Sequence, residues 1–176
     1  MTECWAPLVR YLWTILGSRD SAQDAAQEAF VRLWQRRENW QPGSARVLLF
    51  RIGRNAALDI QRLAQVRRRW RRDRSGRPEL QRQPYLPDQE LEVSEFQAGF
   101  AAAIEKLPNR RREVFELVRL NGLTYQEAAE VLVLSPQTVA NQMALAHRDL
   151  RSMLADFLTE SEGKLDPNNA ERSHNA

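Results

Sequence analysis

Valine, isoleucine and threonine together supply only 19 of the chain's 176 residues. Strands draw on these β-branched side chains because they pack well on a pleated surface, so a chain this poor in them has little material for a sheet. The seven glycines are also too few for many tight hairpins. The fold class that follows is all-α. A single cysteine, Cys4, rules out an internal disulfide and, with no ligand residues beside it, a metal knuckle. Packing alone must therefore hold the helices together, and neither a metal nor a cofactor is expected. No run approaches the roughly 18 consecutive apolar residues of a membrane span. The start of the chain, with Glu3 and no basic segment ahead of an apolar core, does not look like a signal peptide. The expected location is the cytoplasm, with no membrane partner.

Charge divides the chain. The basic side is 24 arginines and two lysines, and it is unevenly spread: residues 1–62 carry a net +3, 63–87 +6, 88–105 −5, 106–155 +2 and 156–176 −3. The polarised middle begins with Arg67-Arg68-Arg69-Trp70-Arg71-Arg72 and runs into Gly76, Pro78, Pro84 and Pro87, which break helical periodicity. This predicts two small helical domains, 1–72 and 93–158, joined by a flexible basic-to-acidic linker at 73–92. A tail at 159–176 is nearly without apolar residues and is expected to be disordered. The arginine run fits a solvated linker and a phosphate-contacting segment about equally well. An excess of positive charge on its own points only weakly to a polyanionic partner.

In the first domain, Leu8, Val9, Leu12, Trp13, Ile15 and Leu16 follow the i, i+3, i+4, i+7 template up to a stop at Gly17. Asp20 is the expected N-cap of a second helix reaching about Arg37, with Ala22, Ala26, Ala29, Phe30 and Leu33 inward. After a loop holding Trp40, Pro42 and Gly43, a long helix from Ser44 to about Trp70 is expected to bury Leu48, Leu49, Ile52, Ala56 and Ile60. Arg51, Arg54, Asn55 and Arg62 share its opposite face, with Leu58 out of place among them.

The second domain carries the signature of a helix-turn-helix. A helix near Val93 to Lys106 precedes one opened by Pro108 and stopped at Gly122. Thr124-Tyr-Gln-Glu127 is a capping box, a three-residue turn follows, and Ser135-Pro136 starts the last helix. Val139, Met143, Ala146 and Leu150 form its core face, leaving Gln137, Asn141, Ala144, Arg148 and Arg151 outward. Short amides near a helix N-terminus can bond base edges in the major groove, while arginines further along hold phosphates.

Three motifs occur in register: Asp20-Ser-Ala-Gln-Asp24-Ala-Ala-Gln27-Glu28-Ala-Phe30-Val-Arg-Leu-Trp34, then Phe50-Arg-Ile-Gly-Arg54-Asn55-Ala-Ala-Leu-Asp59, then Leu107-Pro with Gly122-Leu-Thr-Tyr-Gln-Glu-Ala-Ala-Glu-Val-Leu. In order and spacing, over residues 5–155, they resemble the bacterial extracytoplasmic-function sigma factors. The resemblance implies a transcription initiation factor with sigma region two in the first domain and region four in the second. Such a factor would bind bacterial core RNA polymerase, read two elements of promoter DNA and help to open the duplex, and an anti-sigma protein is a further partner it implies. Asp24, Gln27, Glu28 and Phe30 match the surface that docks on polymerase. Trp40, Arg51, Arg54, Asn55 and Arg62 match the part that takes the minus-ten element as single strand, where stacking, edge hydrogen bonds and positive charge are all needed. Gln137, Asn141, Arg148 and Arg151 match the helix that reads the minus-thirty-five element.

This chain departs from the family pattern at three places. Leu48 stands where a tryptophan is usual, and Ala140 and Gln142 replace a basic pair. Val133 stands where the turn usually has glycine, which puts the turn geometry in question because a β-branched residue resists positive φ. Two rival functions are open on the residues alone. One is a free-standing dimeric helix-turn-helix regulator. The other is a metal-dependent nuclease using the acidic strip Asp20, Asp24, Glu28, which is disfavoured because the only histidines are His147 and His174. No catalytic residue is expected.

Overall fold

The computed structural model describes residues 2–37, 45–72 and 95–164, and these form helices and their connecting turns, with no strand among them. After a 3-10 turn at Thr2–Cys4, α1 spans Trp5–Leu16 and buries Leu8, Val9, Tyr11, Leu12, Trp13 and Ile15. It ends where Gly17 takes φ 68° and sends its N–H back to the Trp13 carbonyl at 2.7 Å, a left-handed cap that a side chain would strain. The next helix, α2, spans Arg19–Gln35, and its N-cap is Ser18, two residues earlier than the expected Asp20. Ser18 is extended, at φ −136° and ψ 129°, and its Oγ accepts from the Ser21 N–H at 3.4 Å, so Asp20 falls inside the first turn.

Helix α3, Ala45–Arg72, carries the arginine run to its end. Its buried face is Val47, Leu49, Phe50, Ile52, Ala56 and Ala57, whereas Leu48 and Ile60 are only partly buried. Leu58, the apparent misfit on the polar face, is partly buried against the core. Phe30 is also partly buried, its ring 5.7 Å from that of Trp5. The linker expected at 73–92 and the loop with Trp40 lie outside the described residues.

The second block is α4, Glu95–Lys106, then α5, Asn109–Phe115, which runs on through a π-helical turn at Glu116–Leu120. Gly122, at φ 64°, turns the chain, and Leu123 N–H bonds the Leu117 carbonyl at 3.0 Å. Helix α6, Tyr125–Leu132, opens with the complete capping box: Thr124 Oγ1 accepts from Glu127 N–H, and a Glu127 carboxylate oxygen accepts from Thr124 N–H at 2.7 Å. Two hydrogen bonds to Thr124 hold the half-buried Glu127 carboxyl below the usual range. Helix α7, Pro136–Lys164, starts under Ser135, whose Oγ accepts from Thr138 N–H at 3.1 Å. It continues through residues 159–164, where disorder was expected. Once a helix is nucleated each further residue adds a backbone hydrogen bond at little cost, so low hydrophobicity there did not end it. Residues 165–176 lie outside the description.

The two blocks share one core. Contacts cross between α3 and α6 and between α1 and α5, and a single cluster of buried apolar residues runs from Leu8 to Leu150.

Candidate functional site

Helix α2 presents Asp24, Gln27 and Glu28 to solvent. Glu28 is tied to Arg32 by an exposed ion pair at 2.6 Å, one helical turn on, while Phe30 lies half inside against Trp5. The strip is not purely polar. Val31 and Trp34 fall on the same side at 100° per residue and are 51% and 58% exposed, with the Arg37 guanidinium 4.9 Å over the Trp34 ring. These two side chains were overlooked in the motif, and the signal for them is phase: neither falls on the Ala22, Ala26, Ala29, Leu33 stripe. A charged helix face with exposed apolar residues at its centre has the composition of a protein-binding surface. Among the described residues, no group of three or more acidic, histidine or cysteine side chains could hold a metal ion.

Arg51, Asn55 and Arg62 lie exposed on α3, with Arg62 loosely paired to Asp59 at 3.1 Å. Arg54, expected on the same face, is turned away. It is buried, and its Nε–H donates to Glu113 Oε2 of α5 at 2.8 Å. Desolvation works against the Arg54 charge, but the hydrogen bond and charge of Glu113 outweigh it and raise its pKa. Beside the pair the Tyr11 hydroxyl is fully enclosed, and burial, with the nearby Glu113 carboxylate, pushes its pKa far up. Two more arginines reach across: Arg10 donates to the Leu120 carbonyl at 3.2 Å and Arg46 to the Asn121 carbonyl.

Between α1, α4 and α5 this seam leaves a cavity of 290 Å³, lined by Trp13, Phe100 and Ile104 with Arg10, Arg112 and Glu116. Glu116 is only 4% exposed and one of its carboxylate oxygens lacks a hydrogen bond. Burial raises its pKa to about 7, against the pull of Arg10 and Arg112. No sequence signal marks these pairs, because their partners are 59 to 110 positions apart.

On α7, Val139, Met143, Ala146 and Leu150 are buried, and Gln137, Asn141, Ala144, Arg148 and Arg151 are exposed, the division expected of a recognition helix. Gln137 Nε2 donates to Asn141 Oδ1 at 3.0 Å, so the two amides are aligned along one strip. The turn before them keeps the glycine geometry without glycine. Val133 sits at φ 55°, ψ 55°, capping α6 through its N–H to the Ala129 carbonyl, with its side chain 78% exposed. Leaving the side chain in solvent avoids a clash with the core but not the local backbone cost of about 1–2 kcal/mol.

Comparison with known proteins fits both blocks. Residues 2–72 match the Sigma-70 region 2 family and residues 98–150 the Sigma-70 region 4 family. The chain is 30% identical over 156 residues to the ECF RNA polymerase sigma factor SigE of Mycolicibacterium smegmatis, covering 86% of this chain and 59% of SigE. It thus spans about three fifths of that relative's length. It is 32% identical over 144 residues to the ECF sigma factor EcfG of Rhodopseudomonas palustris, covering 80% of this chain and 75% of EcfG. In fold it is similar to the sigma factor RpoE of Bartonella quintana, solved in complex with the anti-sigma factor NepR, with a TM-score of 0.68, 21% identity and 88% and 93% of the two chains covered. With both sigma regions present in order on one chain, the protein belongs to the extracytoplasmic-function family of RNA polymerase sigma factors.

Proposed function

We propose that this sigma factor docks on bacterial core RNA polymerase through the exposed face of α2, directs the enzyme to specific promoters and promotes opening of the DNA. The observation that carries the reading is the pairing of two sigma regions on one chain with an exposed amide-and-arginine face on α7. Asp24, Gln27 and Glu28 supply the charged part of the docking face, and Val31 and Trp34 its apolar centre, with Phe30 bracing the helix from behind. Arg51, Asn55 and Arg62, with Trp40 earlier in the sequence, take the minus-ten strand. Gln137 and Asn141 read base edges at the minus-thirty-five element while Arg148 and Arg151 hold phosphates. The chain itself does no chemistry, since the polymerase is the catalyst, and it works in the cytoplasm where that enzyme is. No helix among the described residues is long and apolar enough to cross a membrane. An anti-sigma protein is a fitting regulator, because the similar RpoE was solved with one.

The test is run-off transcription by core polymerase with and without the chain, together with a pull-down of polymerase. Asp24→Arg or Glu28→Arg should abolish capture while leaving the helical content unchanged, since a lost buried charge contact costs roughly 2–5 kcal/mol and reversal adds repulsion. Capture at the parental level would remove α2 from the docking surface. A dimeric mass and polymerase-independent binding to palindromic DNA would instead favour the free-standing regulator.

A further inference from the structure

The cavity between α1, α4 and α5 joins apolar walls to a polar end that no neighbour among the described residues satisfies. Trp13, Phe100, Ile104 and Leu120 supply the walls. At the polar end Glu116 is 4% exposed, and its Oε2 has no hydrogen-bond partner. The Nε–H of Arg10 is also buried and unpartnered, although the same guanidinium donates from Nη2 to the Leu120 carbonyl at 3.2 Å. Arg10 is the charge that acts most strongly on the Glu116 carboxylate, so the unmet acceptor and the unmet donor belong to the same end of the site. Arg112 has less to offer a guest, since its Nη1 and Nη2 donate to the Glu105 carbonyl at 2.9 Å and to Asn109 Oδ1 at 2.8 Å.

Three physical demands narrow what such a site takes. The first is polarity: a buried acceptor and a buried donor are costly to leave unmet, and one hydroxyl, which donates and accepts, answers both. Water fills the space poorly, because each buried water needs about two to four polar partners and the walls away from Glu116 and Arg10 are apolar. The second is volume. At 290 Å³ the cavity is about twice the roughly 150 Å³ that accommodates benzene, room for about a dozen non-hydrogen atoms. The third is charge. Arg10 and Arg112 face Glu105 and Glu116 across the cavity, so with both carboxylates ionised the site is close to neutral, and neither an anion nor a cation gains from entering. Trp13 and Phe100 add flat faces against which a ring can lie.

We propose that this cavity is a binding site for a small neutral aromatic alcohol, whose hydroxyl donates to Glu116 and accepts from the Arg10 Nε–H while its rings lie against Trp13 and Phe100. Apolar walls with a few convergent polar groups are the usual make-up of a small-molecule pocket. None of Asp24, Gln27, Glu28, Gln137 and Asn141 lines the cavity, so the ligand site is separate from the surfaces proposed for polymerase and for the minus-thirty-five element.

The probe is 2-naphthol, titrated into the full-length chain at about pH 8, where both carboxylates are ionised. Binding is followed through backbone amide and indole N–H signals in two-dimensional NMR spectra, with naphthalene and 2-naphthoate as comparators. 2-Naphthol should bind with a Kd of about 0.1 mM or tighter, shifting the signals of Gly17, Ala101 and the Trp13 indole, all of which line the cavity. Naphthalene should bind about tenfold more weakly because it leaves both polar groups unmet, and 2-naphthoate no better than naphthalene. Glu116→Met keeps the volume but removes the acceptor, and should bring 2-naphthol down to the affinity of naphthalene. Ala101→Trp, which fills the cavity from an exposed position on α4, should abolish binding of both. No binding of 2-naphthol at about 1 mM, equal affinity of the parent for 2-naphthol and naphthalene, shifts confined to residues elsewhere, or an Ala101→Trp chain that binds like the parent would overturn the proposal. If Glu116→Met loses helical content, Ala101→Trp decides with the comparators: binding abolished there, and a parent that prefers the alcohol, supports the site.

Discussion

The two blocks of this sigma factor are specified in different ways. The first is held by volume: large side chains of α1, among them Leu8, Tyr11 and Leu12, fill against the small faces of α2 and α3, where Ala22, Ala25, Ala26, Ala29, Ala56 and Ala57 are buried. Gly53 shows how little slack there is, since a Cβ at that position would sit 3.2 Å from Leu8 Cδ1 and 3.3 Å from Leu12 Cδ1. The second block is punctuated by backbone chemistry instead. The π turn, Gly122, the capping box at Thr124, the left-handed Val133 and the Ser135-Pro136 start follow within twenty residues. A DNA-reading helix must leave the body at a set angle, and caps and turns set angles more sharply than packing does. The docking role proposed for α2 needs a firm platform, which packing provides.

Volume loss should therefore hurt the first block most. Leu12→Ala, at a fully buried position, should lower stability by about 2–5 kcal/mol in a chemical-denaturation experiment, because the small neighbours cannot collapse into the space. A smaller loss would mean that the alanine faces are less tightly set than the Gly53 contacts imply. A titration probes the seam between the blocks. Glu116 ionises near its usual 4.5 when unfolded and at about 7 when buried. Between those values the folded chain binds more protons than the unfolded one, so this group's contribution falls as pH rises from about 4.5 to about 7 and is flat above. Arg10 and Arg112 are the charges that oppose that shift, and Glu105 shares the cavity. The expected difference between parent and Glu116→Gln over that window is about 3 kcal/mol, with the Gln chain the flatter. Parallel pH profiles would show that Glu116 finds a partner in solution. The smallest effect is in the turn: Val133→Gly should stabilise the second block by about 1 kcal/mol, as relief of left-handed strain is partly offset by glycine's freedom when unfolded. A loss on thermal denaturation would mean that the exposed valine contributes contacts of its own.

The same contrast explains what was legible in the chain. Thr124-Glu127 and Ser135-Pro136 could be read as caps because capping is local, a matter of residue types three or four positions apart, and the buried and exposed faces of α7 followed from their phase. In α2, Ser18 and Asp20, two residues apart, are both capping residue types, and the chain's exit from Gly17 settles the cap on Ser18 rather than the expected Asp20. The inner face of α3 was less legible: Phe50 and Ala57 are buried while Leu48 and Ile60 are half out, since a helix packed on two sides has no single apolar stripe. The placement of Arg54 was not legible at all. Its partner Glu113 is 59 residues away, and nothing local distinguishes an arginine awaiting DNA from one already engaged.

The hydrogen bond between Gln137 and Asn141 bears on how promoters are ranked. With no DNA present, one Gln137 amide N–H is taken by the Asn141 amide oxygen, so, on the role proposed for this helix, a base that recruits either group also releases its neighbour to face water or a second base. On that proposed reading the two base positions should be statistically coupled: the penalty for a mismatch at one should depend on the letter at the other. A scoring scheme that adds independent contributions would underrate sequences matched at both positions, and a full set of paired substitutions, in protein and in DNA, would reveal the cross term.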